Sequence, residues 1–369
     1  MKLRNRTIVG RLLPAFVFMC ISTASGLAAP DQAAGIIVYM EGDAWIYRDG
    51  ALVDEYLDIG FELQEFDLLE TDEGSLVELD IALPNGRSVT AHIQENTAFY
   101  FDFGDVAGEK HTKLRLLSGS LGLKVQKLMS HEKVSVATQS AVMGVRGTEF
   151  EVRVSKDRAV LITCPIGSVV CTDTDGGEAL AEPGSIVEKT PDVPLQAFAV
   201  GAEDITLYTE YWQHTRDEIF RASAGMFIRS YALRYRDLLP LFELAYVDLN
   251  GQRRPLSEFD ASAGTGELMR LKMQISPSIL KMRSVFPMFE HIFHALKVLE
   301  ESHAIGLGHG DIDRRMTTGA FFQDFNHNRE RIQRQMSEVR YLFKLYVALS
   351  VAASDGMMVE DPLGELESF

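Results

Sequence analysis

From Gly35 to Lys189 apolar and polar residues alternate in short runs, and beyond Pro194 the apolar spacing lengthens to that of a helix. Ile36–Tyr39 and Ala44–Tyr47 flank a turn at Glu41-Gly42-Asp43. Leu76–Leu83 sets Val77, Leu79 and Ile81 against Leu76, Glu78 and Asp80. Pro84-Asn85-Gly86 and Ser88–Ile93 follow, and Asn-Gly between two alternating runs predicts a hairpin. Leu114–Leu117, Leu121–Val125, Lys133–Ala137, Glu149–Val154 and Ala159–Thr163 extend the series. Runs this short, punctuated by glycine, predict an antiparallel sandwich or a rolled sheet. The proline-dense stretch Pro183–Pro194 reads as a linker or a last edge strand.

In the second region Tyr208, Tyr211, Trp212, Ile219 and Phe220 share one helical face. A second stripe holds Leu268, Leu271, Ile275, Ile279, Met282, Phe286, Phe289, Phe293, Leu296 and Leu299, with Pro277 and Pro287 set to break or kink it. Phe325, Ile332, Val339 and Tyr346 recur every seven residues, with Met336 and Phe343 as a companion row. This seam suits the core of a three- or four-helix bundle, or a groove for a partner. The expected class is α+β: an all-β region over 29–194, a linker over 195–202, an α-helical bundle over 203–352 and an acidic, flexible tail over 353–369. The length allows two cores. A fragment covering 29–194 is expected to fold alone, whereas the helical part depends on whether its seam needs the β-region.

The first 28 residues read as a leader. Lys2, Arg4, Arg6 and Arg11 precede an apolar stretch, Leu12–Ala24, and Gly26-Leu27-Ala28 supplies small residues for cleavage. A lipid attachment at Cys20 is disfavoured by Met19 before it. No later run approaches the ~20 apolar residues that cross a bilayer. The expected location is therefore periplasmic or secreted. The whole chain carries 53 acidic and 36 basic residues, net −17. Losing the basic leader makes the remainder more acidic, and most of that acidity lies before Glu203. Nucleic acid and anionic lipid, which need basic patches, are thereby disfavoured as partners.

Few residues suggest chemistry. Cys164 and Cys171 flank Pro165–Val170. In a hairpin turning at Gly167-Ser168 they would face each other across the strands, close enough for a disulfide, which an exported protein retains. The alternative is two free buried thiols. His291 and His294, with His303 and His309 downstream, lack the acid-histidine pattern of a metalloprotease, and the neighbours Ile292 and Phe293 face a core. Asp173-x-Asp175-Gly176-Gly177 lacks the remaining ligands of a calcium loop and reads as a solvated turn. Asp311 and Asp313 read as a helix start. No nucleophile elbow, phosphate loop or dinucleotide fingerprint occurs, so no catalytic, cofactor or metal residues are assigned.

The most specific stretch is Ala141–Val154, AVMGVRGTEFEVRV. Gly144 and Gly147 bracket Val145-Arg146, glycine permits close approach or positive φ, and Thr148 can bond nearby backbone. The Arg146 guanidinium suits carboxylates or main-chain carbonyls, as a staple between turns or as a contact to a ligand. Around this stretch lie Glu41-Gly42-Asp43-Ala44-Trp45, then Phe66–Thr71 with Gly74–Leu79, then Ile93–Thr97, Leu116–Leu121 and Ile166–Val170. In that order, Gly35–Val187 resembles the extracytoplasmic domain of the FecR family. The chain departs from the family at Thr138-Gln139-Ser140, where Thr-Pro is usual. The best-known members are membrane-spanning regulators with a cytoplasmic anti-sigma segment. This chain shows no such segment, so that role does not carry over. The resemblance implies a β-domain used for protein contacts in the bacterial envelope.

Three functions follow as expectations: a non-enzymatic scaffold or envelope signalling and sensing module with a protein partner; an envelope glycan- or peptidoglycan-binding protein, with exposed aromatics among Tyr39, Trp45, Tyr47 and Tyr100; and, least favoured, an enzyme with a cleft of converging carboxylates.

Overall fold

The computed structural model describes residues 35–49, 51–53, 57–83, 87–106, 109–126, 132–145 and 147–353. The stretch read above as a leader, the hairpin tip Pro84–Gly86, Arg146 and the residues beyond Ala353 lie outside these residues. Nine strands come first: β1 (Gly35–Glu41), β2 (Ala44–Arg48), β3 (Ala51–Leu52), β4 (Glu62–Leu63), β5 (Leu68–Thr71), β6 (Leu76–Ala82), β7 (Ser88–Ile93), β8 (Ala98–Val106) and β9 (Glu109–Val125). Then follow β10 (Glu132–Ala137), β11 (Ala141–Val145), β12 (Glu149–Val154), β13 (Val160–Ile166), β14 (Val169–Asp173), β15 (Glu178–Ala181), β16 (Ser185–Thr190) and β17 (Val193–Ala199).

These strands form one sheet folded into two layers. The first layer runs β4-β1-β6-β7-β9-β12-β13-β16-β17, antiparallel throughout. The second runs β3-β2-β5-β8-β9-β10-β11-β14-β15, antiparallel except for the parallel pair β9–β10. The long β9 belongs to both. Its residues up to Ser118 pair with β8, and from Gly119 onward it pairs with β12 and then β7. Because β9 leaves the second layer at Gly119, the chain can return as β10 beside the first half of β9 in parallel. The alternation of β6 becomes burial: Val77, Leu79 and Ile81 face inward, with Glu78 and Asp80 on the other side. Ile37, Ile46, Leu69, Phe99, Phe101, Leu114, Phe150 and Val152 join them in the core between the layers.

The helices are α1 (Ile205–Asn250), α2 (Arg253–Ser257), α3 (Thr265–Arg283), α4 (Phe286–Ala304) and α5 (Thr318–Ala353). At 46 residues α1 spans about 69 Å. Pro277 lies inside α3, and Pro287 sits in the first turn of α4, where its missing N–H costs nothing. The heptad seam of α5, from Phe325 to Tyr346, is fully buried. Its neighbours include the stripe of α3 and α4, which settles that seam as core within the chain. The same helical core contains Phe66, Leu68, Ala98, Tyr100 and Leu117 from the second layer. That layer is therefore covered on both faces, and all four residues of β5 are buried.

Some expectations give way. Tyr211 and Ile219 are exposed, because the first half of α1 touches the sandwich along a narrow line at Trp212, which packs on Ala159, Leu161 and Ile186. Residues 193–199, mostly assigned to the linker, are edge strand β17. Asp311 and Asp313 belong to a small hairpin, β18 (Asp311–Asp313) with β19 (Met316–Thr317), ahead of α5. Among the described residues no helix is long and apolar enough to cross a membrane.

Candidate functional site

The glycine-rich stretch is a crossover between layers. β11 lies in the second layer and β12 in the first, so the chain changes layers between Val145 and Glu149. β13 and β14 reverse the crossing at Gly167-Ser168. The two crossings stack: a Cβ on Gly167 would stand 2.6 Å from Thr148 Cγ2 and 3.0 Å from the Gly147 carbonyl oxygen. Gly147 takes φ +73 and Gly167 φ +87. Val145 and Thr148 are buried, and the Val125 N–H donates to the Thr148 carbonyl at 2.8 Å. Gly144 is exposed, with Val170 O 3.9 Å from the position of a Cβ, so it has room for a side chain. Four of the five motif residues thus meet at a structural junction; the fifth, Arg146, lies outside the described residues.

That crossing also removes the hairpin register on which the expected disulfide rested. Cys164 lies on β13 and Cys171 on β14, but these strands pair with different neighbours in different layers, so no cross-strand register joins the sulfurs. Both are free, buried thiols in the sandwich core. Burial pushes their pKa values up to about 11 for Cys164 and about 12 for Cys171. Neither is expected to react with a maleimide in the folded protein at pH 8, and both should react at once in denaturant. Mass spectrometry counts the adducts; rapid labelling of the native chain would contradict the burial.

Where helices meet the second layer, polar groups are buried in pairs. Glu70 on β5 receives Lys297 Nζ at 2.7 and 2.8 Å and Gln333 Nε2 at 3.4 Å. His294 Nδ1 lies 3.3 Å from Glu70 Oε1. Burial, then Lys297, Arg340 and His291, hold the His294 imidazole well below its ordinary pKa. The ring is therefore neutral beside the Glu70 carboxylate, with Nε2 lacking a hydrogen-bond partner. Deeper still, Arg340 Nη1 donates to Glu290 Oε1, the Tyr100 hydroxyl donates to Glu290 Oε2 at 3.2 Å, and the guanidinium lies 5.6 Å from the Tyr100 ring centroid. At the margin Arg48 grips Asp67 at 2.6–3.1 Å, and Lys344 reaches Gln64 at 3.2 Å. Among the described residues no cluster of three or more His, Cys, Asp or Glu is disposed to hold a metal. Asp173 is not a solvated turn residue: its carboxylate is buried and accepts N–H bonds from Asp175, Gly177 and Leu195 at 2.7–3.2 Å, tying β14 to β17.

A cleft of about 630 Å³ opens where β9 changes layers, between the β12–β13 turn, α1 and α4. Arg153, Lys156, Arg158, Tyr231 and His291 line it, with Leu117, Val160, Ala295, Val298 and Ile305 as apolar wall. Glu73, Glu95, Asp217 and Glu301 stand among its lining. Sequence reasoning passed over Arg158 and Tyr231; the short Ser155–Ala159 turn was the available signal.

The aromatics proposed for glycan contact do not form a platform. Tyr100 is buried under the helices, and Tyr47 packs against their core. Tyr39 and Trp45 are exposed but lie in different layers. Exposed apolar residues gather instead on neighbouring helices, with Leu241, Leu244 and Val247 on α1 and Met273 and Leu280 on α3. Lys281 Nζ to Asp248 Oδ2, at 3.0 Å, ties these two helices together.

The described residues thus form a two-layer sandwich whose second layer carries helices, with Gly147 where the chain changes layers. Residues 67–170 match the family model described as FecR protein, so the chain carries a FecR domain there. No curated protein matches the chain. Two crystal structures from Parabacteroides distasonis ATCC 8503, provisionally assigned as an anti-sigma factor, align at 16% identity and TM-score 0.31. The alignments cover 38% of this chain and 64% or 63% of those chains, less than two thirds of their length.

Proposed function

We propose that this protein is an exported, non-enzymatic FecR-type module that signals or senses through contact with another envelope protein. The observation that carries this reading is the FecR match over 67–170, whose strands run from β5 to β14 and include the crossover. The leader-like residues 1–28 support export. The exposed stripes on α1 and α3 support a protein contact, since clustered apolar exposure marks interaction surfaces. A photo-crosslinker placed at Leu244 or Leu280 in cells is expected to yield one discrete heavier species, and at exposed Glu218 none. Equal crosslinking at all three, or recovery of the protein in the cytoplasm with its leader intact, counts against the proposal.

A further inference from the structure

The cleft at the β9 changeover goes beyond a protein contact. Its floor is a hairpin turn held in an uncommon backbone state. The Arg158 N–H donates to Ser155 O, the Ser155 N–H to Ala159 O, each at 2.9 Å, and Ser155 Oγ to Asp157. Asp157 is clamped to α1 by Arg216 at 3.4 Å. Arg158 is thereby fixed at φ +72, a left-handed conformation that disfavours any side chain with a Cβ. Strain of this kind persists where the surroundings over-determine it, and it is concentrated at binding sites.

What the strain accomplishes is to lay the guanidinium over Tyr231, 5.6 Å from the ring centroid. Arg158 Nε and the Tyr231 hydroxyl are both buried, and neither has a hydrogen-bond partner. Tyr231 itself is 2% exposed. Burial pushes its phenol up to about 12, so it holds its proton and can donate. The other cations differ: Arg153 is paired with Glu151 at 2.6 Å, and Lys156 lies out at the exposed mouth. Asp157 is taken by Arg216.

From this we infer that the cleft binds a small molecule carrying one carboxylate, held by Arg158 and the Tyr231 hydroxyl, with its uncharged body against Ala295, Val298 and Ile305. A guanidinium beside a phenol presents convergent donors to a carboxylate. The volume suits a small ligand. Glu73, Glu95, Asp217 and Glu301 around the same space oppose a multiply charged anion such as phosphate.

The test titrates the purified, leader-free full chain by calorimetry with phenylacetate, its uncharged analogue phenylacetamide, and inorganic phosphate. It needs no partner protein, so its outcome is separate from that of the crosslinking. Phenylacetate should bind at least about ten-fold more tightly than either comparison compound. Tyr231→Phe and Arg158→Gly should each weaken it about ten-fold or more. Arg158→Gly should melt no lower than the native protein, because glycine adopts this φ freely. Absent phenylacetate binding, equal binding of acid and amide, phosphate binding as tight as phenylacetate, or undiminished affinity in both variants overturns the inference.

Discussion

Replacing Gly119 with alanine is expected to destabilise the protein by on the order of 4 kcal/mol. Gly119 marks the point where β9 passes from one layer to the other, and its φ is +86. The left-handed conformation alone costs an L-residue about 1–2 kcal/mol. The larger cost is steric. A Cβ there would stand 2.5 Å from Thr97 Cα, 2.2 Å from Thr97 Oγ1 and 2.7 Å from the Asn96 carbonyl oxygen. Two of those atoms are backbone, so no rotamer change relieves the contact. Thr97 is itself pinned: its Oγ1 accepts from the Ser120 N–H at 2.9 Å, and its N–H donates to Thr71 Oγ1 at 3.0 Å. Either β9 or the turn before β8 must therefore move, and with it the junction of both layers. Gly144→Ala is the matched control, expected to cost less than about 1 kcal/mol, since nothing is closer than 3.9 Å to its Cβ position. Urea unfolding of both variants measures the difference. Equal, small losses would show that the changeover does not depend on a glycine.

Much of this architecture is legible along the chain, and the illegible parts share a cause. Strands such as β6 and β7 face solvent on one side, so alternation reports them faithfully. The α5 seam is likewise a one-helix property, visible in Phe325, Ile332, Val339 and Tyr346. What a linear pattern does not carry is which layer a strand joins. Leu114–Leu117 and Leu121–Val125 read as two strands because Gly119 interrupts the pattern, yet β9 is one strand shared by two layers. Cys164 and Cys171 suggested a hairpin because tight spacing favours one, and the intervening residues instead cross the sandwich. The helix-facing side of the second layer is the plainest case. Glu70, Lys113 and Arg115 look like a solvated face, but all three are buried. The groups that bond Glu70 lie more than two hundred residues away: the Lys297 ammonium, which opposes its charge, and the Gln333 amide. Arg158 is only faintly marked: the short Ser155–Ala159 run between two strands suggests a turn, but not which of its residues takes a positive φ.

The most deeply buried ion pair of the helix layer joins α4 to α5, and removing half of it should cost about 3–5 kcal/mol. Glu290 on α4 and Arg340 on α5 are each about 1% exposed. Arg340→Met leaves the buried Glu290 carboxylate with the Tyr100 hydroxyl, at 3.2 Å, and the more distant charge of Arg115, but without its ion-pair partner. Glu290→Leu leaves a buried guanidinium whose Nε and Nη2 already lack partners. Either single variant leaves a buried charge without its direct partner, and that charge bears most of its desolvation cost. The double variant Glu290→Leu with Arg340→Met removes both charges and is expected to lie within about 2 kcal/mol of the native protein, well above either single variant. Urea unfolding of all four proteins gives the coupling energy directly, and strictly additive losses would show that the two groups act independently. Because Tyr100 belongs to β8, the single variants weaken the seam between helices and sandwich as well as the helical core. The β-fragment ending at Val200 keeps the complete inter-layer core and should remain folded, with reduced stability from exposing Leu68, Tyr100 and Leu117. The helical fragment loses those same residues from its core and should be the weaker of the two. In the full chain Arg340→Met should accordingly split thermal unfolding into a helical step followed by a β step, read by circular dichroism at 222 nm (helix) and 215 nm (strand). One coincident transition in that variant would mean that the layers unfold together even without the pair.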